Sequence, residues 1–462
     1  MFSDIFKFLH ILFKWPEFVI TMTDSCNRLA VGRGKIDRLS DLPINVIHQI
    51  QDHMSIEDAA KMSILSSTWR YACASNPKLV FDTEFCTNRT SSNTIDIIST
   101  IMLQHHGAIK IFLVDISVIH SSQHSVIDQW MLFLSSNGLM DLTLQNHNIV
   151  NAPYELPSCV YSVGLERLVL SNCIFKPPCS FRGFLKLKTL LLKRVAFELV
   201  AATSSILMPN LERLRFTQCS GFGLLNIYAP NLFCLCFYGC GNDTIKLSPF
   251  MECTKLKIVA IESHDEVSLN RQDKAIKLTN LLNSWPNLSH LILGRYFLKF
   301  FASGTGAESP PTRLTRLRCL YLSDCDFDRE DQISPLLSIL RSSPNLEVLQ
   351  ILLSQRKKCD MEVDVNLIEE QDDRKQGRLN NLQMLQIKNF HGSRIELRFV
   401  RFILGSTPLL RKAIILVDTD VNERQYLKIS EELMRFPRAS PKSKIVFRPW
   451  LKEQGRSSMP CC

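Results

Sequence analysis

The sequence predicts an α/β fold: a solenoid of short parallel strands with helices on its convex side, preceded by a small module of three helices. Two observations predict it. A Leu-x-x-Leu-x-Leu pattern recurs along most of the chain, with a shortest interval of 21 residues between Leu211 and Leu232. Upstream of it, residues 36–82 hold three short apolar segments with helix-start signals. A unit this short cannot enclose its own core, so the copies must stack on one another.

The first helix of the module is predicted to begin at Leu42-Pro43. Proline is tolerated in the first turn of a helix, because the N–H that it lacks would have no partner there. Apolar residues then recur at helical spacing, as Val46, Ile47 and Ile50. They predict a short amphipathic helix with one buried face.

The second and third helices have recognisable starts. Ser55 precedes Ile-Glu-Asp, so its hydroxyl can accept an N–H of the first turn while the acidic side chains lie near the positive end of the helix dipole. Ser67 or Thr68 is predicted to cap a third helix, which carries Trp69. We expect the indole of Trp69 to pack the three helices together.

These residues resemble the F-box. The resemblance lies in four short blocks: LP at 42–43, SIEDAA at 55–60, SILS at 63–66 and WRY at 69–71. The family's usual proline before the isoleucine of the second helix is Ser55 here, and serine is itself a good N-cap. The resemblance implies docking on a Skp-type adaptor, and through it on a cullin. It also implies an adaptor-binding surface formed by Leu42, Pro43, Ile44, Val46, Ile47, Ile50, Leu65 and Trp69. A small helical subdomain without a partner is the alternative.

The recurring pattern is similar to the leucine-rich repeat, whose period is about 20–29 residues. Isoleucine, valine or phenylalanine replaces leucine at some positions. The copies begin at Leu139, Leu165, Leu187, Leu211, Leu232, Leu256, Leu288, Leu317, Leu346 and Leu382, with a degraded copy at Leu410 and an early one at 109–114. We expect one strand per copy, all strands parallel, with the apolar residues directed into a common core.

Two further signals mark the turns of each repeat. Pro-Asn precedes four copies, where the proline ends the preceding segment and the asparagine turns the chain into the strand. A cysteine follows the last apolar strand position by three residues in four copies, at Cys173, Cys219, Cys240 and Cys325. The leucine-rich-repeat family places Asn or Cys here, so these thiols are expected to point inward. A helix is predicted at 94–105, before the repeats begin, and helices are predicted in the return segments, for example at 274–284 and 332–342.

Residues 381–447 resemble the FBD region that closes many plant F-box/leucine-rich-repeat proteins. The resemblance rests on a Leu-x-Ile-x-x-Phe-x-Gly run at 385–392, a helix at 396–404 and a Pro-Leu-Leu entry to a final strand. It implies one atypical repeat and a cap over the end of the solenoid. A loop rich in Gly, Ser and Pro at 303–312 and a charged insertion at 356–378 interrupt the repeats before it.

The predicted domains are a leader at 1–35, the F-box at 36–82, the solenoid at 83–380, the FBD-like region at 381–447 and a basic tail at 448–462. Charges and a proline interrupt the apolar residues 1–21, which argues against a transmembrane helix and leaves a gene-model extension, a weak anchor or disorder. From Arg435 the chain is basic and ends in Cys-Cys. Disorder is expected there, and lipid attachment is the alternative.

No catalytic or cofactor motif is present. The sequence has no GxxxxGK[ST], GxGxxG, HExxH or GxSxG pattern. Cys234, Cys236 and Cys240 have no paired Cys/His cluster near them in sequence, so no metal is expected; the strand register predicts Cys234 and Cys236 at the surface. Several of the 16 cysteines recur at one repeat position, which favours free thiols in a reducing compartment. We expect a non-catalytic protein without a cofactor.

Binding is expected at the positions that alternate with the inward leucines, because these face the concave side of the sheet. The basic and aromatic residues among them are Arg167, Lys193, Arg213, Arg215, Tyr238 and Tyr321. One interpretation is a solvated face. The other is a surface for an acidic or phosphorylated segment of a target protein.

The two resemblances together imply the substrate-recognition subunit of a Skp–cullin–F-box (SCF) ubiquitin ligase, cytoplasmic and/or nuclear, which presents a target protein for ubiquitination and degradation. A leucine-rich-repeat scaffold without a ligase role is one alternative. A nucleic-acid-associated protein is another, suggested by the formal net charge of +9 and the basic tail. No recognition motif supports it, so neither nucleic acid nor a membrane is expected as a partner.

Overall fold

The computed structural model describes residues 39–150, 152–198, 205–240, 247–262, 278–295, 314–327, 330–354 and 379–450. The predictions for the leader, for the loop at 303–312, for the insertion at 356–378 and for residues 451–462 lie outside these ranges. The chain divides into two compact units. Unit 1 comprises residues 1–189 and 194–200, and unit 2 comprises residues 190–193 and 201–462.

Unit 1 begins with the three predicted helices: α1 (Ile44–Gln51), α2 (Ile56–Leu65) and α3 (Ser67–Ser75). Pro43 stands directly before α1, and the Ser55 hydroxyl accepts the N–H of Asp58 at 3.1 Å, as predicted. The cap of α3 differs from the prediction. It is Ser66, whose hydroxyl accepts the N–H of Thr68 at 3.2 Å. Ser66 has an extended backbone and is both the last cap of α2 and the first cap of α3. Ser67 is therefore already the first residue of α3.

The rest of unit 1 alternates strands and helices. Its elements are β1 (Lys78–Phe81), α4 (Thr83–Thr87), α5 (Ser91–Leu103), β2 (Ile111–Asp115), α6 (His124–Ser136), β3 (Asp141–Gln145), β4 (Tyr154–Glu155), β5 (Arg167–Ser171), β6 (Cys173–Phe175) and β8 (Ala196–Phe197). Strand β7 (Thr189–Lys193) precedes β8 and has residues in both units. The strands β1, β2, β3 and β5 pair in that order and all run parallel. The early repeat copy at 109–114 is therefore confirmed as β2, and β1 is a further strand that begins before the predicted end of the F-box.

Unit 2 continues the same plan. Its elements are β9 (Ser205–Leu207), β10 (Arg213–Thr217), β11 (Asn226–Tyr228), β12 (Cys234–Tyr238), β13 (Ile258–Glu262), α7 (Leu278–Asn283), β14 (His290–Gly294), β15 (Cys319–Cys325), α8 (Glu330–Ser342), β16 (Val348–Leu353), β17 (Met384–Phe390), α9 (Arg394–Ser406), β18 (Lys412–Val417), α10 (Glu423–Arg435) and β19 (Lys444–Pro449). The strands from β10 to β19, apart from β11, pair parallel in sequence order.

The predicted apolar core is confirmed in every copy. Each Leu-x-x-Leu-x-Leu position from Leu139 to Ile387, and the degraded copy from Leu410 to Ile415, is no more than 3 % exposed. Neighbouring copies pair like with like: Leu214 lies opposite Leu235, and Leu349 lies opposite Leu385. Burial of one such side chain contributes roughly 1.5–3 kcal/mol, so stacking of the copies is what stabilises the solenoid.

The turn after each strand has a feature that the sequence pattern did not reveal. Six repeats place a residue with positive φ two positions after the last core residue of the strand: Asn172, Arg194, Gln218, Gly239, Asp324 and Asn389. The left-handed residue reverses the chain, so the next residue points back into the core. The predicted inward cysteines are therefore buried at Cys173, Cys219, Cys240 and Cys325.

The asparagines before the strands connect neighbouring repeats. The side-chain amides of Asn231, Asn287 and Asn345 each donate to a backbone carbonyl of the preceding repeat at 2.8 Å. Asn381 makes the same contact with the Pro344 carbonyl at 3.1 Å. These amides satisfy carbonyls that the sheet ladder leaves without partners.

The return segments only partly match the prediction of helices. Helices α5, α7 and α8 occupy the three predicted segments. The middle copies instead use short strands, which form a three-stranded sheet of β4, β6 and β8 and a pair of β9 and β11. Their apolar residues alternate with polar or exposed ones, as in Ser205–Leu207, and this period of two favours strands over helices.

The FBD-like region folds as a strand, a helix, a strand, a helix and a final strand. Helix α9 begins with a capping box in which Ser393 and Glu396 exchange side-chain contacts with each other's backbone N–H groups. The prediction of disorder from Arg435 is wrong for residues up to 450. Strand β19 pairs with β18 over six residues there, and the Tyr426 and Phe447 rings lie 4.5 Å apart. The FBD-like region therefore extends to the end of β19.

Candidate docking surfaces

The three-helix module has a small core of its own. Ile47, Trp69 and Ala72 are at most 3 % exposed, and Leu42 and Ile50 pack against them. The Trp69 indole N–H donates to the Leu39 carbonyl at 3.2 Å. Ile47 was predicted to contact an adaptor, but its side chain is fully buried and cannot reach one. Trp69 is enclosed in the same way, which fits the expectation that it packs the helices together.

The module exposes several large apolar side chains. Ile44 and Leu65, both predicted to contact the adaptor, are 39 % and 75 % exposed. Pro43, predicted to contact it as well, is also exposed. Three further apolar residues, which the sequence did not predict at this surface, are also exposed: Leu39, Ile64 and Tyr71. Exposed apolar side chains concentrated on one small module mark an interaction surface. The sequence gives little signal for them, since two adjacent apolar residues of one helix can both be buried, as Ala59 and Ala60 of α2 are.

The module is joined to the first strands of unit 1 without a free linker. Asn76 follows α3 directly, and its side-chain amide donates to Gln51 Oε1 at 3.2 Å. The Arg89 guanidinium forms an ion pair with Glu57 of α2 and lies over the Phe85 ring. The backbone N–H of His106 donates to the Ala74 carbonyl at 2.7 Å. These contacts fix the three helices against the start of the sheet.

Side chains that alternate with the buried leucines project from the opposite face of each sheet, which we call the ladder face. In unit 1 the predicted residue Arg167 lies on it. Its guanidinium is 3.2 Å from both Asp141 Oδ1 and the Thr143 hydroxyl. Arg167 is therefore occupied by an intramolecular ion pair between neighbouring strands.

In unit 2 the ladder face has an apolar centre. Cys234, Cys236, Ala260 and Ile292 form a buried cluster against which Tyr238 and Tyr321 pack. The prediction that Cys234 and Cys236 lie at the surface is wrong: they are 3 % and 0 % exposed, with their sulfurs 3.6 Å apart. Small side chains are covered here because larger neighbours on the same face close over them.

The predicted basic and aromatic residues border this centre. The Arg215 guanidinium lies 5.8 Å from the centroid of the Tyr238 ring, a cation–π distance. Burial raises the pKa of Tyr321 to about 12 and also raises that of Tyr238. Both phenols are therefore neutral at physiological pH. Lys193 and Arg213 are exposed. The structure thus places Arg215 beside Tyr238, whereas Tyr321 lies on β15, on the other side of the apolar centre.

Among the described residues, no group of three or more His, Cys, Asp or Glu side chains is arranged to hold a metal ion. No helix in the described ranges is long and apolar enough to cross a membrane. The twelve described cysteines are free thiols.

Comparisons with known proteins agree with this architecture. A family model described as the At1g61320/AtMIF1 LRR domain matches residues 101–440, and a model of the F-box domain matches residues 39–81. The F-box/FBD/LRR-repeat protein At1g13570 of Arabidopsis thaliana is 32 % identical over 429 residues, which span 89 % of this chain and 98 % of that protein. The probable FBD-associated F-box protein At1g32375 of the same plant is 24 % identical over 89 % of this chain and its whole length.

The helical module, the leucine-rich sheet and these matches define an F-box protein with leucine-rich repeats. More particularly, the chain belongs to the plant F-box/FBD/leucine-rich-repeat family. Proteins of this class are substrate adaptors, generally without catalytic activity of their own.

Proposed function

We propose that the chain is the substrate-recognition subunit of an SCF ubiquitin ligase. The three-helix module docks on a Skp-type adaptor, which connects it to a cullin. The ladder face binds a target protein. Ubiquitination of the target then follows from proximity and orientation, with no chemical step on this chain.

The observation that carries the proposal is the exposed apolar face of the module. Large apolar patches at a protein surface mainly mark places where a partner binds. Ile44 lies on α1 and Leu65 on α2. A partner that contacts both side chains therefore binds only when the two helices are folded against each other.

The contacts between the module and the first strands support the proximity mechanism. A flexible linker would let a bound target sample many positions relative to the adaptor. The Asn76–Gln51 and Arg89–Glu57 contacts instead hold the module against β1 and α4 within unit 1. A fixed attachment favours a defined orientation, which is the property that a ligase subunit needs.

The free thiols support a reducing compartment, and we propose a cytoplasmic and/or nuclear location on that basis. A fluorescent fusion in plant cells tests this directly. Accumulation in the secretory pathway would contradict it.

Adaptor capture tests the proposed function. In the variant Ile44→Glu with Leu65→Glu, two carboxylates replace exposed apolar groups without disturbing the buried core of Ile47 and Trp69. Loss of two buried contacts at an interface predicts at least about 100-fold weaker adaptor binding, or about 2.7 kcal/mol. Leu42 is a poorer choice, because it packs against that core and its removal would also unfold the module.

The matched control is Leu103→Glu with Leu132→Glu. These leucines are 80 % and 61 % exposed on α5 and α6 of the same unit, outside the module. We expect adaptor binding within about twofold of the wild type in this control. Equal adaptor binding by both double variants would refute the assignment. Wild-type protein that binds target but no Skp-type adaptor would favour the scaffold without a ligase role.

A further inference from the structure

The last strands of unit 2 carry four cations on the ladder face. Lys388 lies on β17, Lys412 on β18, and Lys444 and Arg448 on β19. We call these four residues the terminal patch. Among the described residues, no carboxylate lies within ion-pair distance of any of them. Some basic residues elsewhere on the sheet are paired: Lys188, for example, contacts Glu166 at 2.8 Å.

The strand register places these cations side by side. Lys412 lies directly opposite Lys444, and both Lys388 and Arg448 lie opposite Leu416. Adjacent strands are about 4.8 Å apart, so the stems of Lys412 and Lys444 run next to each other from the same face. Like charges directly opposite in a sheet are unfavourable. An anion that bridges them removes this repulsion.

Apolar and amide side chains form the floor between the cations. Ile414 and Leu416 are only 8 % and 6 % exposed, Val446 is half-buried, and Gln386 lies opposite Ile414. The surface between the cations is therefore mainly apolar and mostly buried. An apolar surface between cations suits an extended chain laid across the strands.

The charge balance of the ladder face points in the same direction. Between β10 and β19, Glu262 is the one carboxylate at the described ladder positions, and it lies on β13, four strands from β17 in sheet order. The terminal patch itself has no acidic member. Its charge is thus complementary to a negatively charged partner.

We propose that the terminal patch binds an extended acidic segment of the target protein, with glutamate or aspartate side chains on the cations and apolar side chains over the floor. That the bound protein is a ubiquitination target rests on the proposed function, whereas the binding itself does not. Nucleic acid is the less suitable partner, because single strands bind by stacking on aromatic rings, and neither the terminal patch nor its floor contains an aromatic residue. The ring of β19, Phe447, is turned to the other face against Tyr426.

Fluorescence anisotropy with the full-length chain tests the proposal. The probe is a fluorescein-labelled peptide of repeating Glu-Glu-Leu, and its neutral counterpart is repeating Gln-Gln-Leu. We expect the acidic peptide to bind the wild type more tightly than the neutral one, with an affinity that falls as salt is added. The variant Lys412→Gln with Lys444→Gln should bind it roughly tenfold more weakly.

The matched control is Arg424→Gln with Lys428→Gln. These two exposed cations lie on α10 of the same unit, and their loss changes the net charge equally. We expect peptide binding within about twofold of the wild type. The melting temperature of the patch variant should not fall, because the substitution relieves a repulsion.

Three results would overturn the proposal: equal loss of binding in both variants, equal affinity for the two peptides, or displacement of the acidic peptide by single-stranded DNA that binds the patch more tightly. Adaptor capture in the same preparations separates the two proposals. Lost peptide binding with intact adaptor capture refutes the acidic-segment site alone. Intact peptide binding without adaptor capture refutes the ligase role alone.

Discussion

Replacement of Gly392 by alanine tests how the end of the sheet is closed. Gly392 follows β17 in the Phe-x-Gly run and has φ of 75°, a conformation that favours glycine. A Cβ atom there would lie 2.5 Å from Ile429 Cγ1 and closer still to its Cδ1. Ile429 is 6 % exposed on α10, so it has little room to move.

The expected cost has two parts. The left-handed backbone costs an alanine about 1–2 kcal/mol. The overlap with Ile429 adds about 1–3 kcal/mol, the usual cost of overpacking. Alanine also restricts the unfolded chain, which offsets about 0.4–1 kcal/mol. The net prediction is a destabilisation of about 1–5 kcal/mol, confined to the region where β17 meets α10.

Hydrogen exchange of the amides in α9 and α10 measures the stability of this region directly. Thermal unfolding would report the stability of both units together. The decisive comparison repeats Gly392→Ala in an Ile429→Ala background. Removal of the isoleucine side chain abolishes the overlap, so the glycine substitution should then cost only about 0.5–1.5 kcal/mol. An equal cost in both backgrounds would refute the close approach of Gly392 and Ile429.

Four further predictions follow from the described contacts. Trp69→Ala should destabilise the three-helix module by about 3–5 kcal/mol, seen as faster exchange of its amides; unchanged exchange would show that the indole is not the module's core. Ser55→Ala removes the cap of α2 and should cost about 1 kcal/mol, whereas Ser55→Asp should preserve stability, and equal losses in both would argue against capping. Glu396→Ala should cost about 2–3 kcal/mol by denaturation, because its carboxylate accepts the N–H groups of His391, Gly392 and Ser393; a neutral effect would contradict that role. Iodoacetamide at neutral pH should modify exposed Cys179 well before Cys173, since burial raises the pKa of the Cys173 thiol to about 12; mass spectrometry checks the order, and early labelling of Cys173 would mean that its repeat opens.

The strands were predictable because their core residues are spaced so regularly. Leu-x-x-Leu-x-Leu fixes three buried positions on one short segment, and its recurrence at a leucine-rich-repeat period favours a strand at each copy. Strand β1 escaped this pattern, since Leu79 and Phe81 are its only core residues. Strand β19 escaped it for a similar reason: its alternating residues are only half-buried and stand among the basic residues of the tail.

The docking residues were less predictable, because burial on the ladder face depends on neighbouring strands. Alternation assigns Cys236 to that face, but its packing with Cys234, Ala260 and the larger Tyr238 decides that it is covered. Ile47 is a similar case. The helical spacing identifies its apolar stripe, whereas only the crossing of α1 and α3 shows that this stripe meets Trp69.

The sheet keeps its register although the repeats differ in length. The interval from Leu211 to Leu232 is 21 residues and that from Leu346 to Leu382 is 36, yet in both cases the strand residues pair position by position. The extra residues therefore enter the return segments and leave the strands unchanged. The core leucines and the bridging asparagines determine stability, while ladder side chains such as Lys412 contribute little to it. Substitutions at exposed ladder positions should shift stability by no more than about 0.5 kcal/mol. Under the proposed function, the target can then change from protein to protein on the same fold.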